Sequence, residues 1–191
     1  MNSTEKILFW SSNIWMFGDG LLGPLFTVFT EKIGGSILDV TTAWAIFTIV
    51  TGILTDFMGK WGDKIGHEKL LIAGYALNAV FTFAYILIDS TTMLFIVQAG
   101  LGVSLALANP TWAALYDKYS CPSTDGSSWG AAYGHANIAT GLAALAGGAV
   151  ITYFSFQALF IIMGVIQVIA TAVSLRIFVI KHDTHLTSII D

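Results

Sequence analysis

The side chains with chemistry to offer in this chain are few and lie in apolar surroundings. Asp19 sits in Phe17-Gly18-Asp19-Gly20, inside a long apolar run. A charge placed there in a bilayer costs about 3 kcal/mol on insertion scales, so it must face protein or water. Intramembrane acids mark ion or substrate pathways; the blander role is a hydrogen-bonded carboxyl that locks neighbouring helices. His135 is a second protonatable group, read either as a relay partner or as a simple hydrogen-bonding side chain. Gln98, Asn109 and Trp112 share one apolar run with Pro110 and are candidates for uncharged substrate contacts. Gln98 and Asn109 could equally bond between helices, and Trp112 could equally be an interfacial anchor. No Ser or Cys nucleophile stands beside a base, and there is no nucleotide-binding loop or zinc-ligand cluster, so no enzyme, metal or cofactor is expected. Cys121 is the single cysteine, which excludes an intramolecular disulfide and a multi-cysteine metal site.

The elements that must carry these residues follow from composition. The chain has 191 residues, 55% of them hydrophobic and 10% charged, with a mean hydropathy of +0.76. A soluble domain carries about 25% charge, so this one lacks the polar surface to face water on all sides, and membrane lipid is its expected surrounding. Eight Lys and Arg within a net charge of -4 supply no basic patch, which excludes a nucleic-acid partner. A span needs roughly 20 apolar residues, so the length holds about six. They are expected at Leu8 to Phe29, Val40 to Met58, Leu70 to Ile88, Met93 to Tyr116, Trp129 to Phe154 and Phe156 to Ile180. These continuous runs are roughly twice the length of barrel strands and do not alternate in polarity. The expectation is an all-α integral membrane protein of six transmembrane helices over residues 1–180, with a short polar tail at 181–191. The connection near Tyr153 to Gln157 is so short that the last two spans should form a tight antiparallel hairpin.

Positive charge orients the bundle, because loops rich in Lys and Arg stay on the cytoplasmic side. Lys6, Lys60, Lys64, Lys69, Lys118, Arg176 and Lys181 fall on one side and only Lys32 on the other. Both termini are therefore expected in the cytoplasm, in a plasma or bacterial inner membrane. The first span has no charged leader and small-residue cleavage site before it, and is expected to be retained. Asp56 can reach Lys60 one turn on, a structural pairing.

The connection Gly59-Lys60-Trp61-Gly62-Asp63-Lys64-Ile65-Gly66-His67-Glu68-Lys69 packs basic residues, acids and glycines into a short turn. Here the sequence resembles the major facilitator superfamily of secondary transporters, whose signature in this loop is G-x-x-x-D-(R/K)-x-G-(R/K)-(R/K). Gly59, Asp63, Lys64 and Gly66 match it. His67 and Glu68 depart from it, and a cation returns only at Lys69. Ala108-Asn109-Pro110 followed by Ala113 to Asp117 looks like the family's fourth helix with its acidic end. The resemblance implies that the first and fourth helices line a central cavity and the third and sixth face lipid. It also implies that Asp19 is a proton site, and that Asp63 caps the start of the fifth span in the other half as a conformational latch. Asp117 would then pair with Lys64 or Lys69, and closure would be pH-dependent through His67. The bland reading of Asp63 is a carboxylate that neutralises Lys60 or Lys64 in a solvated turn.

The family's usual chain has about twelve spans in two halves of like orientation, so two copies of this chain could rebuild the architecture. A homodimer is the economical expectation. Gly130, Gly134, Asn137, Gly141, Ala144 and Gly148 recur at intervals of about four and three and trace one small-residue stripe, suited to a second subunit or to a neighbouring helix. Ala143 to Gly148 stands where antiporters of the family often carry G-P-x-x-G-G, and only the final glycine pair is present. The expected function is a secondary active transporter of a small solute working by alternating access as a homodimer, with symport, antiport and uniport all left open. The alternative is a non-transporting scaffold, or a half-subunit that joins a different partner. Asp19 on a cavity wall favours transport; Asp19 in a sealed helix contact favours the scaffold.

Overall fold

The computed structural model describes residues 2–120 and 125–190, the backbone alone at 125 and 179–190. Its elements in order are α1 (Ser3–Gly20), α2 (Leu25–Lys32), α3 (Ile37–Ile65), α4 (His67–Ala84), a 3-10 turn (Tyr85–Leu87), α5 (Thr91–Tyr119), α6 (Asp125–Tyr153) and α7 (Phe156–Ile190). Five helical segments are long and apolar enough to cross a membrane: Ile37–Ile65, His67–Leu87, Thr91–Tyr119, Gly126–Tyr153 and Phe156–Phe178. Cys121 lies outside the described residues.

The first expected span, Leu8 to Phe29, is not one helix but two. α1 begins with a capping box in which Asn2 Oδ1 accepts from the Glu5 amide at 2.8 Å and Glu5 answers the Asn2 amide at 3.1 Å. It ends at Gly20, and α2 starts after Pro24. Pro24 has no N–H to continue the ladder and its ring crowds the preceding turn, while Gly20 and Gly23 hold the helix weakly. The break therefore falls one residue beyond Asp19.

The signature segment is a helix end rather than a loop. α3 opens on a Ser36/Asp39 capping box and runs through Gly59, Gly62, Asp63 and Lys64 to Ile65. Gly66 alone makes the turn: its φ is 104°, a left-handed conformation that costs other residues a Cβ clash, and α4 starts at the next residue. Its amide donates to the Gly62 carbonyl at 2.9 Å. α7 continues as helix through the expected tail to Ile190. α5 runs unbroken through Pro110.

The helices pack in the spatial order α3, α5, α4, α7, α1, α6. The order is symmetric: exchanging α1, α3 and α4 for α5, α6 and α7 maps it onto its own reverse. α3 and α6 lie at the two ends, each packed along a single neighbour, and most of their surface is open. The last two spans are joined by a short link at 154–155, as expected, yet they touch little. α1 is the main neighbour of both.

The third span, expected to face lipid, keeps Val80 and Leu87 exposed but also turns a face inward. α4 packs on both α5 and α7 and buries Gly74, Tyr75, Asn78, Ala79 and Thr82. Gly74 makes this possible, because a side chain there would begin 2.9 Å from the Ser104 carbonyl oxygen of α5. Two apolar clusters close the bundle. One gathers Phe29, Tyr85, Phe156 and Phe160, with Phe29 and Phe160 rings at 4.8 Å and Tyr85 stacked on Phe160 at 5.0 Å. The other gathers Leu8, Trp15, Leu71, Tyr75, Leu115 and Tyr116.

Candidate functional site

A cavity of about 600 Å³ opens between α1, α2, α3, α4 and α5, with Thr140 of α6 and Met163 of α7 completing its wall. Asp19 stands on that wall one residue before the helix break, and its side chain is exposed there rather than sealed in a helix contact. It is the sole charged residue among those lining the cavity. Among the described residues, no hydrogen bond or ion pair holds it. The Tyr85 hydroxyl lines the same wall.

Close helix contacts set the position of Asp19. The neighbouring glycines, Gly18 and Gly20, face other helices where side chains would not fit: a Cβ on Gly18 would lie 2.8 Å from Gln167 Nε2, and one on Gly20 would lie 3.0 Å from the Thr140 backbone. Gln167 of α7 donates to the Trp15 carbonyl at 3.1 Å and so ties α1 to α7 one turn before Asp19. With both neighbours turned to protein, Asp19 is left facing the open side.

Four other polar side chains of the wall are engaged in two pairs. Thr82 donates to Asn78 Oδ1 at 3.3 Å, and Gln98 Nε2 donates to the Tyr85 hydroxyl oxygen at 3.1 Å. Asn78, Thr82 and Tyr85 are spaced four and three apart on one face of α4 and its terminal turn. That spacing is a legible signal in an otherwise apolar run, but reading the third span as lipid-facing hides it. The remaining wall is aromatic, with Trp15, Phe26, Trp44 and Phe47.

Of the proposed substrate contacts, Gln98 reaches the cavity wall, whereas Asn109 and Trp112 do not. Asn109 is exposed on α5. Trp112 is a clamp: its Nε1 donates to the Leu8 carbonyl at 3.2 Å, and its ring stacks on Tyr116 at 4.8 Å and meets Trp129 edge-on at 5.8 Å. His135 is not brought to Asp19. Its Nδ1 sits 2.8 Å from the Ala131 carbonyl, and its ring lies edge-on to Phe9 at 5.2 Å.

At the signature turn, Asp63 pairs with His67 at 3.2 Å within its own segment, and Lys60 with Asp56 at 2.9 Å. Both acids are exposed, so each pair is nearly neutral in energy. Among the described residues Asp117 makes no ion pair with Lys64 or Lys69. The His67 ring lies against Gly62, where a side chain would collide with it, so this second glycine seats the histidine. Along α6, Gly130, Gly134, Gly141 and Gly148 have open space in front of them, and Asn137 is exposed beside them. Ala132, Ala143 and Gly147 on the opposite side are buried. Among the described residues, then, nothing packs against these four glycines.

Apolar helices around a cavity that carries one intramembrane acid define a multi-pass integral membrane protein. The chain belongs to the Major Facilitator Superfamily, a family of transporters, whose model matches residues 8–188. It is also similar to the multidrug resistance protein MdtG of Yersinia enterocolitica (serotype O:8 / biotype 1B), with 27% identity over 101 residues. That match covers 51% of this chain and about a quarter of the relative's length, 24%.

Proposed function

We propose that the chain is one six-span half of a secondary transporter that moves a small solute by alternating access, and that two parallel copies form the working unit. α1 and α2 together make the first span, both termini are cytoplasmic, and the membrane is a plasma or bacterial inner membrane. The observation that carries this reading is Asp19, exposed and unpaired on the wall of a cavity of about 600 Å³. An acid kept there by a static scaffold would be a cost without a return. The unpartnered faces of α3 and α6, with the glycines of α6 open, support a second six-span body closing the cavity. The relative's name, multidrug resistance protein, supports an organic solute.

Asp19 takes up and releases the coupling proton as the cavity changes sides. Asp63 serves as the latch: exposed at the end of α3, it leaves its partner His67 for the amino end of α6 in the second copy, where the helix dipole attracts an anion by about 0.3–2 kcal/mol. That is enough to bias two states that differ by little.

The test is uptake into proteoliposomes under an imposed pH gradient. Asp19→Asn abolishes gradient-driven uptake and preserves solute exchange; coupling that survives unchanged removes Asp19 from the mechanism. The mass of the particle in nanodiscs corresponds to two copies, and a monomer without uptake supports the scaffold instead.

A further inference from the structure

We infer that the cavity selects a monovalent organic cation with a bulky aromatic or apolar body, its positive centre held by Asp19 and its body by the rings of the wall. This rests on the transport reading above and names the substrate class of the same site. The argument is one of elimination among ligand chemistries. An anion would meet a carboxylate and no cation, since no Lys, Arg or His lines the cavity. A sugar-like neutral solute needs several free hydrogen-bonding groups, and here Thr82 is paired with Asn78, Gln98 with Tyr85, and Thr41 and Thr140 donate to carbonyls of their own helices. A divalent metal needs several oxygen or nitrogen ligands, and among the described residues no group of three or more His, Cys, Asp or Glu comes together. A small inorganic monovalent cation would leave the aromatic wall and most of the volume unused.

What remains matches the wall. Cations bind over ring faces as well as to carboxylates, and Trp44 and Phe47 of α3 present a ring pair 5.6 Å apart on the wall that Asp19 shares. Trp44 is 60% exposed, so its ring is available to a ligand rather than spent in the core. The volume is that of a site for drug-sized molecules, roughly 300–1,000 Å³. A second copy of the chain adds another Asp19 and no cation from these positions, so the sign of the preference is the same in a homodimer. Tyr85 is the sole other titratable group on the wall, and proton competition with the cation therefore falls on Asp19.

The test uses the purified full chain in detergent and two probes of the same shape and opposite charge, tetraphenylphosphonium and tetraphenylborate, with protein-free micelles as the blank. Saturable binding is read by calorimetry. The phosphonium binds at least about ten-fold more tightly than the borate. Asp19→Asn removes that difference, while Asp19→Glu, which keeps the charge, retains phosphonium affinity within about three-fold and controls for folding. Lowering the pH weakens phosphonium binding in the parent and leaves Asp19→Asn unchanged. Equal binding of the two probes, or a preference that survives Asp19→Asn, overturns the inference. Asp19-dependent phosphonium binding without uptake into proteoliposomes overturns the transport reading and leaves this one standing. Uptake of an anionic or neutral solute in place of the cation does the reverse.

Discussion

The backbones of Leu21 and Gly147 meet: the Leu21 carbonyl oxygen, in the break between α1 and α2, occupies the space where a side chain on Gly147 would begin. The contact sets α6 against the helix break that follows Asp19. Gly147→Ala forces the two apart and is expected to cost about 1–3 kcal/mol. Gly148→Ala, one residue on and facing open space, gains up to about 1 kcal/mol of helix propensity. Thermal unfolding of the two variants in detergent should move in opposite directions.

The glycines of the signature segment divide in the same way. Gly66→Ala places a Cβ at a φ of 104° and should cost about 1–2 kcal/mol, with the α3/α4 turn the first region to gain hydrogen exchange. Gly59 lies inside α3 with nothing near it, so Gly59→Ala should be neutral or stabilising by up to about 1 kcal/mol. Equal losses at both positions would show that the turn does not depend on the left-handed conformation.

Gly134→Leu and Gly141→Leu test the stripe. Neither side chain meets anything within the chain, so folding and insertion should be unaffected while the dimer dissociates. Light scattering of the detergent complex reads the mass. A dimer that survives both substitutions places the seam elsewhere.

Two tryptophans differ in what their indole N–H does. Trp112→Phe removes the bond to the Leu8 carbonyl and should cost about 1 kcal/mol beyond the lost ring area. Trp15 is buried with no partner for its Nε1, so Trp15→Phe forfeits no hydrogen bond and keeps much of the stack on Tyr75. Paired denaturation curves should show the larger loss at Trp112.

Asp63→Asn tests the latch. In a Cys121→Ser background, a cysteine placed at Leu105 on the cavity wall should react faster with a membrane-impermeant thiol reagent from the cytoplasmic side once Asp63 is neutralised. The same rate as the parent at every pH tested would leave Asp63 as the exposed partner of His67 and nothing more.

Composition by itself determined the fold class, because a chain with 10% charged residues has too little polar surface for water, and runs of about 20 apolar residues leave helices as the element. The spacing of Gly59, Asp63, Lys64 and Gly66 determined the family, and the match over residues 8–188 agrees with it. Asp19 was legible as the residue of interest because a carboxylate in an apolar run is costly wherever the run lies. Periodicity also showed that the α6 glycines share a face and form one stripe.

What each face meets was decided only by the tertiary structure. In a soluble helix the polar side points to water, but in these spans lipid and protein are equally apolar, so amphipathicity carries almost no direction. For this reason the third span's own pattern raises no objection to the lipid-facing place assigned to it from the family resemblance, although its polar face lines the cavity. It is also why Trp112, Asn109 and His135 were grouped with Asp19 from residue type, when packing sends each of them elsewhere. The helix break after Asp19 is likewise a tertiary outcome. Pro24 allows it, and the close approach of Leu21 to Gly147 gives the broken backbone a neighbour to rest against.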